Sequence, residues 1–145
     1  MAIVELRGYP GLPLEEARVL QDTRGAIAVW ARPSGLLVTR ALGKMTAAHA
    51  RQLEAGVDAI LRRTPRHVAF HDWEDLTDYE IEARLRLTQL AIRLRDVSEV
   101  HLVVRSRLIV AAVDAAGAIL KNLQLYASRA ELERALLVHS AKHPV

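Results

Sequence analysis

The hydrophobic pattern of the chain changes period several times. Ala26 to Ala31 (AIAVWA) and Leu36 to Leu42 (LLVTRAL) are short β-type runs. Between them lies Arg32-Pro33-Ser34-Gly35, whose proline and glycine supply turn geometry, so the two runs predict a hairpin. From Thr46 to Arg63 the apolar positions Ala50, Leu53, Val57, Ile60 and Leu61 follow helical spacing, the mark of a helix with one buried stripe. Pro65 ends it, and His67-Val68-Ala69-Phe70-His71 predicts a short strand that leads into an acidic loop.

Thr77 followed three residues later by Glu80 makes a capping-box pattern, so a second helix is expected from there to about Arg95. Its apolar residues form two adjoining rows, Ile81, Leu85, Ile92 and Ala83, Leu87, Leu90, Ala91, Leu94, which together predict a wide buried face. Glu99 to Val104 reads as the next strand, Arg107 to Lys121 as a strongly apolar helix capped by Ser106, and Leu123 to Ala127 as a further strand. Ser128 and Glu131 repeat the capping-box pattern and open a last helix through Leu132, Ala135 and Leu136.

This order of elements calls for an α/β fold: a mostly parallel sheet with right-handed crossovers, one antiparallel hairpin strand at its N-terminal side, and about four helices. Residues 1–24 read as an N-terminal extension, with Ile3 to Arg7 as an edge strand and Leu14 to Leu20 as a short helix turn. Residues 25–138 form the domain, and the polar tail 139–145 is expected to fray. No internal repeat or linker-like stretch divides the chain.

Composition narrows the function classes. At 145 residues, 51% hydrophobic and 26% charged, the chain has the make-up of one globular domain rather than of a disordered tail or a coiled-coil rod. Without cysteine it has no disulfide framework, thiolate zinc site or cysteine nucleophile. The net charge of +3 is too small for the footprint of a nucleic-acid binder. The N-terminal residues lack the apolar run and cleavage site of a signal peptide. The longest apolar stretch, Leu108 to Leu120, contains Asp114 and falls short of the roughly 20 residues of a membrane span. A cytoplasmic protein with no membrane insertion is the resulting expectation.

The opening hairpin AIAVWARPSGLLVTRALGKMT, the strand-to-helix stretch VAFHDWEDLTDYEIEAR, the strand EVHLVVRSRL and the closing NLQLYASRAELERAL together resemble the STAS family, and in particular its SpoIIAA-like branch of anti-sigma-factor antagonists. The resemblance implies a compact regulatory domain that works by binding another protein. In those antagonists a serine at the start of the helix after the central strand is reversibly phosphorylated, within an Asp-Ser-Ser-Gly-like stretch. Here the corresponding residues 71–79 hold neither serine nor glycine, and only Thr77 stands for that hydroxyl.

The same segment is the most informative local feature. Asp72, Glu74, Asp75, Asp78, Glu80 and Glu82 crowd into eleven residues with no basic one among them. Structurally, carboxylates at a helix N-terminus oppose its dipole by roughly 0.3 to 1 kcal/mol each. Functionally, Asp72, Trp73, Glu74, Asp75, Thr77, Asp78 and Tyr79 read as a docking surface for a protein partner, with Trp73 and Tyr79 as aromatic anchors at the sheet's C-terminal edge. A third reading takes Asp72, Glu74 and Asp78 as hard-oxygen cation ligands, but the glycine and regular spacing of a calcium loop are missing.

An enzyme is the alternative from another class, because His71, Asp72, His101 and Ser106 can be drawn as a hydrolase-like triad. Against it, adjacent strand residues point to opposite faces and there is no nucleophile elbow. Neither a dinucleotide fingerprint nor a P-loop is present, and the histidines lack ligand spacing, so no cofactor, metal or catalytic residue is expected. A small-ligand site at the same sheet edge belongs to this alternative. Finally, the apolar helix 107–121 reads either as sunk between sheet and neighbouring helices or as a homodimer surface through Leu108, Ala112, Ala116 and Ile119.

Overall fold

The computed structural model describes residues 5–143, apart from the side chain of Ala116. Ile3 and Val4 of the first expected strand, and the last two residues of the expected tail, lie outside the described residues. Six strands form one sheet in chain order: β1 (Arg18–Gln21), β2 (Gly25–Ala31), β3 (Leu36–Met45), β4 (His67–Tyr79), β5 (Ser98–Val104) and β6 (Leu123–Tyr126). The pairs β1–β2 and β2–β3 are antiparallel, and β3 through β6 are parallel. The helices are α1 (Ala47–Leu61), α2 (Ile81–Leu94), α3 (Arg107–Gly117) and α4 (Arg129–Lys142).

Central strands of such a sheet are covered on both faces and therefore read as continuous apolar runs. In β2, Ile27 and Val29 join the interior under α1, α2 and α3, while Ala28 and Trp30 join the opposite one. That second interior is closed by Leu132 and Leu136 of α4 and by Tyr9 and Leu12 of the N-terminal segment. The segment is pinned by the Trp30 indole, which donates to the Pro13 carbonyl at 3.0 Å and meets the Tyr9 ring edge-on at 5.7 Å.

Several expectations need correction. Leu14–Glu16 forms one 3₁₀ turn, but Arg18–Gln21 is a strand, so the sheet carries two antiparallel strands at its N-terminal side instead of one. The described part of Ile3–Arg7 is not a strand. Helix α4 continues to Lys142 through most of the expected tail. The capping box expected at Thr77 and Glu80 does not form: α2 starts after Glu80 with no side-chain cap. The Glu80 carboxylate instead accepts the Ala47 amide at the start of α1 and an Arg24 guanidinium, both at 2.9 Å. A capping box does form on α1, where Thr46 and His49 satisfy each other's amides, with histidine in the usual place of glutamate.

The largest departure is β4, which runs straight through the expected acidic loop as a strand of 13 residues. Its register with β3 shifts twice, between Arg40↔Asp72 and Leu42↔Asp75 and again between Gly43↔Leu76 and Lys44↔Asp78. Each shift places one extra β4 residue against β3, a bulge that moves the following side chains by one position. The strand's period of two therefore becomes a step of three over Trp73, Leu76 and Tyr79, and over Asp72, Asp75 and Asp78.

Gly43 lies between these shifts with φ +74°, and a Cβ there would sit 2.5 Å from the Arg24 carbonyl oxygen. A left-handed backbone costs a non-glycine residue about 1–2 kcal/mol, and the backbone neighbour adds a clash. Gly43→Ala is expected to lower unfolding free energy by at least ~2 kcal/mol in urea titration.

Candidate functional site

The bulged strand sorts the residues of 71–79 onto two faces. Toward α4 point the carboxylates. Asp72, with no exposed surface, accepts from Arg129 Nε at 2.7 Å, from Arg129 Nη2 at 3.2 Å and from the Tyr9 hydroxyl. The guanidinium of Arg40, itself buried, lies 4.0 Å from Asp72 and 3.9 Å from Asp75. Arg129 also binds Asp75 and lies 3.5 Å from Glu74, which pairs with Arg105. Burial works against the charge of Arg129, but its hydrogen bonds to Asp72 and Asp75 and their negative charges outweigh this and hold its pKa above the ordinary value. Burial, and then the neighbouring Asp72 charge, push the Tyr9 phenol up.

Toward α1, α2 and α3 point His71, Trp73, Leu76 and Tyr79. They form one wall of a chamber of about 130 Å³. Leu87, Leu90 and Leu94 of α2, Ile109 and Val113 of α3, and Leu102 of β5 are among the rest, and the lining is almost wholly aliphatic and aromatic. The polar exceptions are few. Arg84 is exposed, with its guanidinium 5.9 Å from the centre of the Tyr79 ring, and the Thr88 hydroxyl is spent on the Arg84 carbonyl at 2.9 Å. His71 is 8% exposed, and Nδ1 lies 2.7 Å from the Thr39 hydroxyl. Burial, with smaller contributions from His67 and His101, lowers its pKa to about 3.

This geometry overturns the docking surface expected at 71–79. Trp73 is 9% exposed, sits inside the core and donates its indole N–H to Thr39 at 3.1 Å, so it anchors nothing outside. Asp72, Glu74 and Asp75 are committed to arginines, and Asp78 lies 3.8 Å from Lys44. That commitment also removes the cation reading of Asp72, Glu74 and Asp78. Of the seven residues only Thr77 is largely exposed, and its hydroxyl donates to the Gly43 carbonyl from within the strand instead of capping a helix.

The drawn triad does not assemble. His71 and Asp72 face opposite sides of the sheet, His101 stacks on Phe70 at 4.3 Å and shares a hydrogen bond with the Tyr126 hydroxyl, and Ser106 donates to the Thr77 carbonyl. Among the described residues no three histidine, aspartate or glutamate side chains converge as a metal site. No helix among them is long and apolar enough to cross a membrane.

The expected apolar helix is shorter and less buried than its composition implies. It ends at Gly117, and Ile109 and Val113 turn inward while Leu108 and Val110 are exposed. Of the residues assigned to a dimer surface, Leu108 faces solvent, Ala112 lines the chamber, and Ile119 lies beyond the helix end. The Ala116 side chain is outside the described set. The outer row expected to be buried on α2 is also exposed, with Ile81 at 77% and Leu85 and Ile92 at 58%.

With its two antiparallel strands leading into a parallel sheet and its four helices, the domain has a SpoIIAA-like fold, the architecture of STAS domains. Among solved structures it is similar to the crystal structure of an uncharacterized protein from the DUF3478 family of Shewanella loihica PV-4, described as having a SpoIIAA-like fold. The TM-score is 0.62 at 18% sequence identity, over 81% of this chain and 98% of that one. No protein-family model matches the chain. No curated protein matches it either.

Two outcomes follow. Removing one partner from a buried ion pair costs roughly 3–5 kcal/mol, and because Asp75 stays beside both Arg129 and Arg40, Asp72→Ala is expected to lose less than that in urea titration, with Asp72→Ala/Asp75→Ala losing more than either single change. The second concerns pH. Burial also lowers His67, to about 4, so His67 and His71 are both neutral when folded, against an unfolded value near 6.5. The unfolded chain then binds more protons below about pH 6.5, and stability falls as the pH drops toward each folded pKa, by roughly 1 kcal/mol per pH unit for each histidine. Burial lowers His139 as well, so it adds in the same sense; urea titrations at about pH 7 and about pH 5 check this slope, which His71→Phe should reduce.

Proposed function

We propose that this protein is a noncatalytic binding module that takes a small, largely apolar molecule into the chamber between β4, α2 and α3. The observation that carries this reading is the chamber itself, about 130 Å³ walled by Trp73, Leu76, Leu90 and Val113 beside the C-terminal half of β4. Ligands of open α/β sheets bind at that end of the strands. An engineered apolar cavity of roughly 150 Å³ stays dry and takes up benzene, so the scale suits a molecule of six to ten heavy atoms, roughly.

The lining favours an apolar occupant, since apolar surface that a ligand buries against it contributes roughly 25 cal/mol per Å². The thin cover supports entry: among its described side chains, α3 commits only Ile109 and Val113 fully to the interior.

A second reading, in which the module binds a protein partner or a second copy of itself, rests on a different surface from the acidic segment. Ile81, Leu85 and Ile92 form an exposed apolar row on α2, joined by exposed Leu108 and Val110 of α3. Such rows on a surface mark interaction sites.

Toluene titration of the purified protein tests the chamber. Toluene is expected to saturate, to shift the amide resonances of residues around Trp73 and Val113, and to raise Tm. Ala112→Phe, which fills the chamber from α3, should keep the fold and abolish the shift. An unchanged wild-type spectrum, or an undiminished response in a folded Ala112→Phe, contradicts the reading.

A further inference from the structure

The chamber holds one hydrogen-bond donor whose orientation the surrounding bonds determine. The Thr39 hydroxyl has no exposed surface; it accepts from Trp73 Nε1 at 3.1 Å and lies 2.7 Å from His71 Nδ1. A hydroxyl has one proton to give, and among the described residues Thr39 meets no other side-chain acceptor. It therefore donates to Nδ1. A neutral imidazole that accepts at Nδ1 carries its hydrogen on Nε2. The relay Trp73 to Thr39 to His71 thus sets the tautomer from the sheet side.

Nε2 makes no hydrogen bond to any described residue, nor is it among the polar side-chain atoms sealed away without a partner, which are Arg40 Nε and His49 Nε2. His71 is more than nine-tenths buried and lines the chamber, so the chamber is where this N–H opens. The imidazole is kept neutral by burial, so it offers a dipolar N–H and not a charge. No carboxylate lines the chamber, and the one cation, Arg84, is exposed on α2.

We infer that His71 is the specificity-determining residue of the chamber, its Nε2–H receiving the acceptor oxygen of a small, otherwise apolar molecule such as a ketone, aldehyde or ester. This rests on the reading of the chamber as a ligand site. A buried donor left unmatched is costly, so a ligand with an oxygen at that point is favoured over one without, relative to the same chamber lacking the donor. An anionic ligand is disfavoured, because a carboxylate at His71 would sit among aliphatic side chains with a single neutral donor.

The test compares cyclohexanone with methylenecyclohexane, which has nearly the same shape and no oxygen, on wild type and His71→Phe. Comparing each probe across the two proteins removes the difference in their hydration. Cyclohexanone is expected to bind about tenfold more weakly to His71→Phe, the ratio given by one hydrogen bond of ordinary net strength, while methylenecyclohexane changes by less than about twofold. Equal changes for both probes overturn the assignment to His71 while leaving the chamber as an apolar site. Failure of both probes to bind wild type overturns the chamber reading and this inference with it. ¹⁵N NMR of wild type keeps the question open to test if His71→Phe does not fold. Protonated Nε2 in the free protein, with its proton shifted by cyclohexanone and not by methylenecyclohexane, supports the inference; an unprotonated Nε2 contradicts it. Cyclohexanecarboxylate binding more tightly than the ketone, with the preference lost in Arg84→Gln and kept in His71→Phe, also contradicts it.

Discussion

A central strand whose two faces are both covered by packed elements has little solvent face, so the side chains of β4 from His67 to Leu76 must be absorbed by one of two interiors, and only toward its end does Thr77 reach solvent. The rest of the molecule is arranged around that constraint. On one side the strand brings carboxylates, and Asp72 can be buried there only because Arg129 of α4, Arg40 of β3 and the Tyr9 hydroxyl surround it. These contacts hold α4 and the N-terminal segment onto the sheet. On the other side the same strand brings an imidazole, two aromatic rings and a leucine, which α2 and α3 cover without filling the space between them.

The division of charge between the two faces explains why the chamber can be so apolar beside an acidic sequence. Each bulge shifts β4 by one position at the point where strict alternation would turn Asp75 inward, and the next returns Tyr79 to the apolar side. The acids are drawn to arginines that lie far away in sequence, at positions 40, 105 and 129. The same sheet holds the imidazole and the buried carboxylate apart, with His71 on one face and Asp72 on the other.

Much of the fold was legible from local pattern. The hairpin of β2 and β3, the periodic stripe of α1, the strand at Glu99 to Val104 and the Ser128 cap of α4 all follow from spacing and capping chemistry, and the SpoIIAA-like resemblance agrees with the fold of the solved neighbour. The segment 72–79 was not legible, for two reasons. Its acids have low strand propensity, and the two bulges replace the alternation that marks a strand with steps of three. That three-residue repeat of Trp73, Leu76 and Tyr79 was the available signal, but without the register against β3 it reads as helix or loop. The exposure of Leu85, Ile92 and Leu108 was equally hidden, since an apolar residue on a helix carries no mark of whether another element covers it. The environment of His71 depends on Thr39 and Trp73 meeting it across strands, a contact that sequence separation conceals.

The ligand site proposed for this protein needs an accessible apolar space between β4, α2 and α3. Xenon is the probe for it, because it enters apolar cavities by dispersion alone and needs no matching polar group. A crystal of the protein under xenon pressure should show an ordered xenon atom in contact with Trp73, Leu90 and Val113. A crystal with no xenon there, or with those side chains packed against one another and the space closed, contradicts the account.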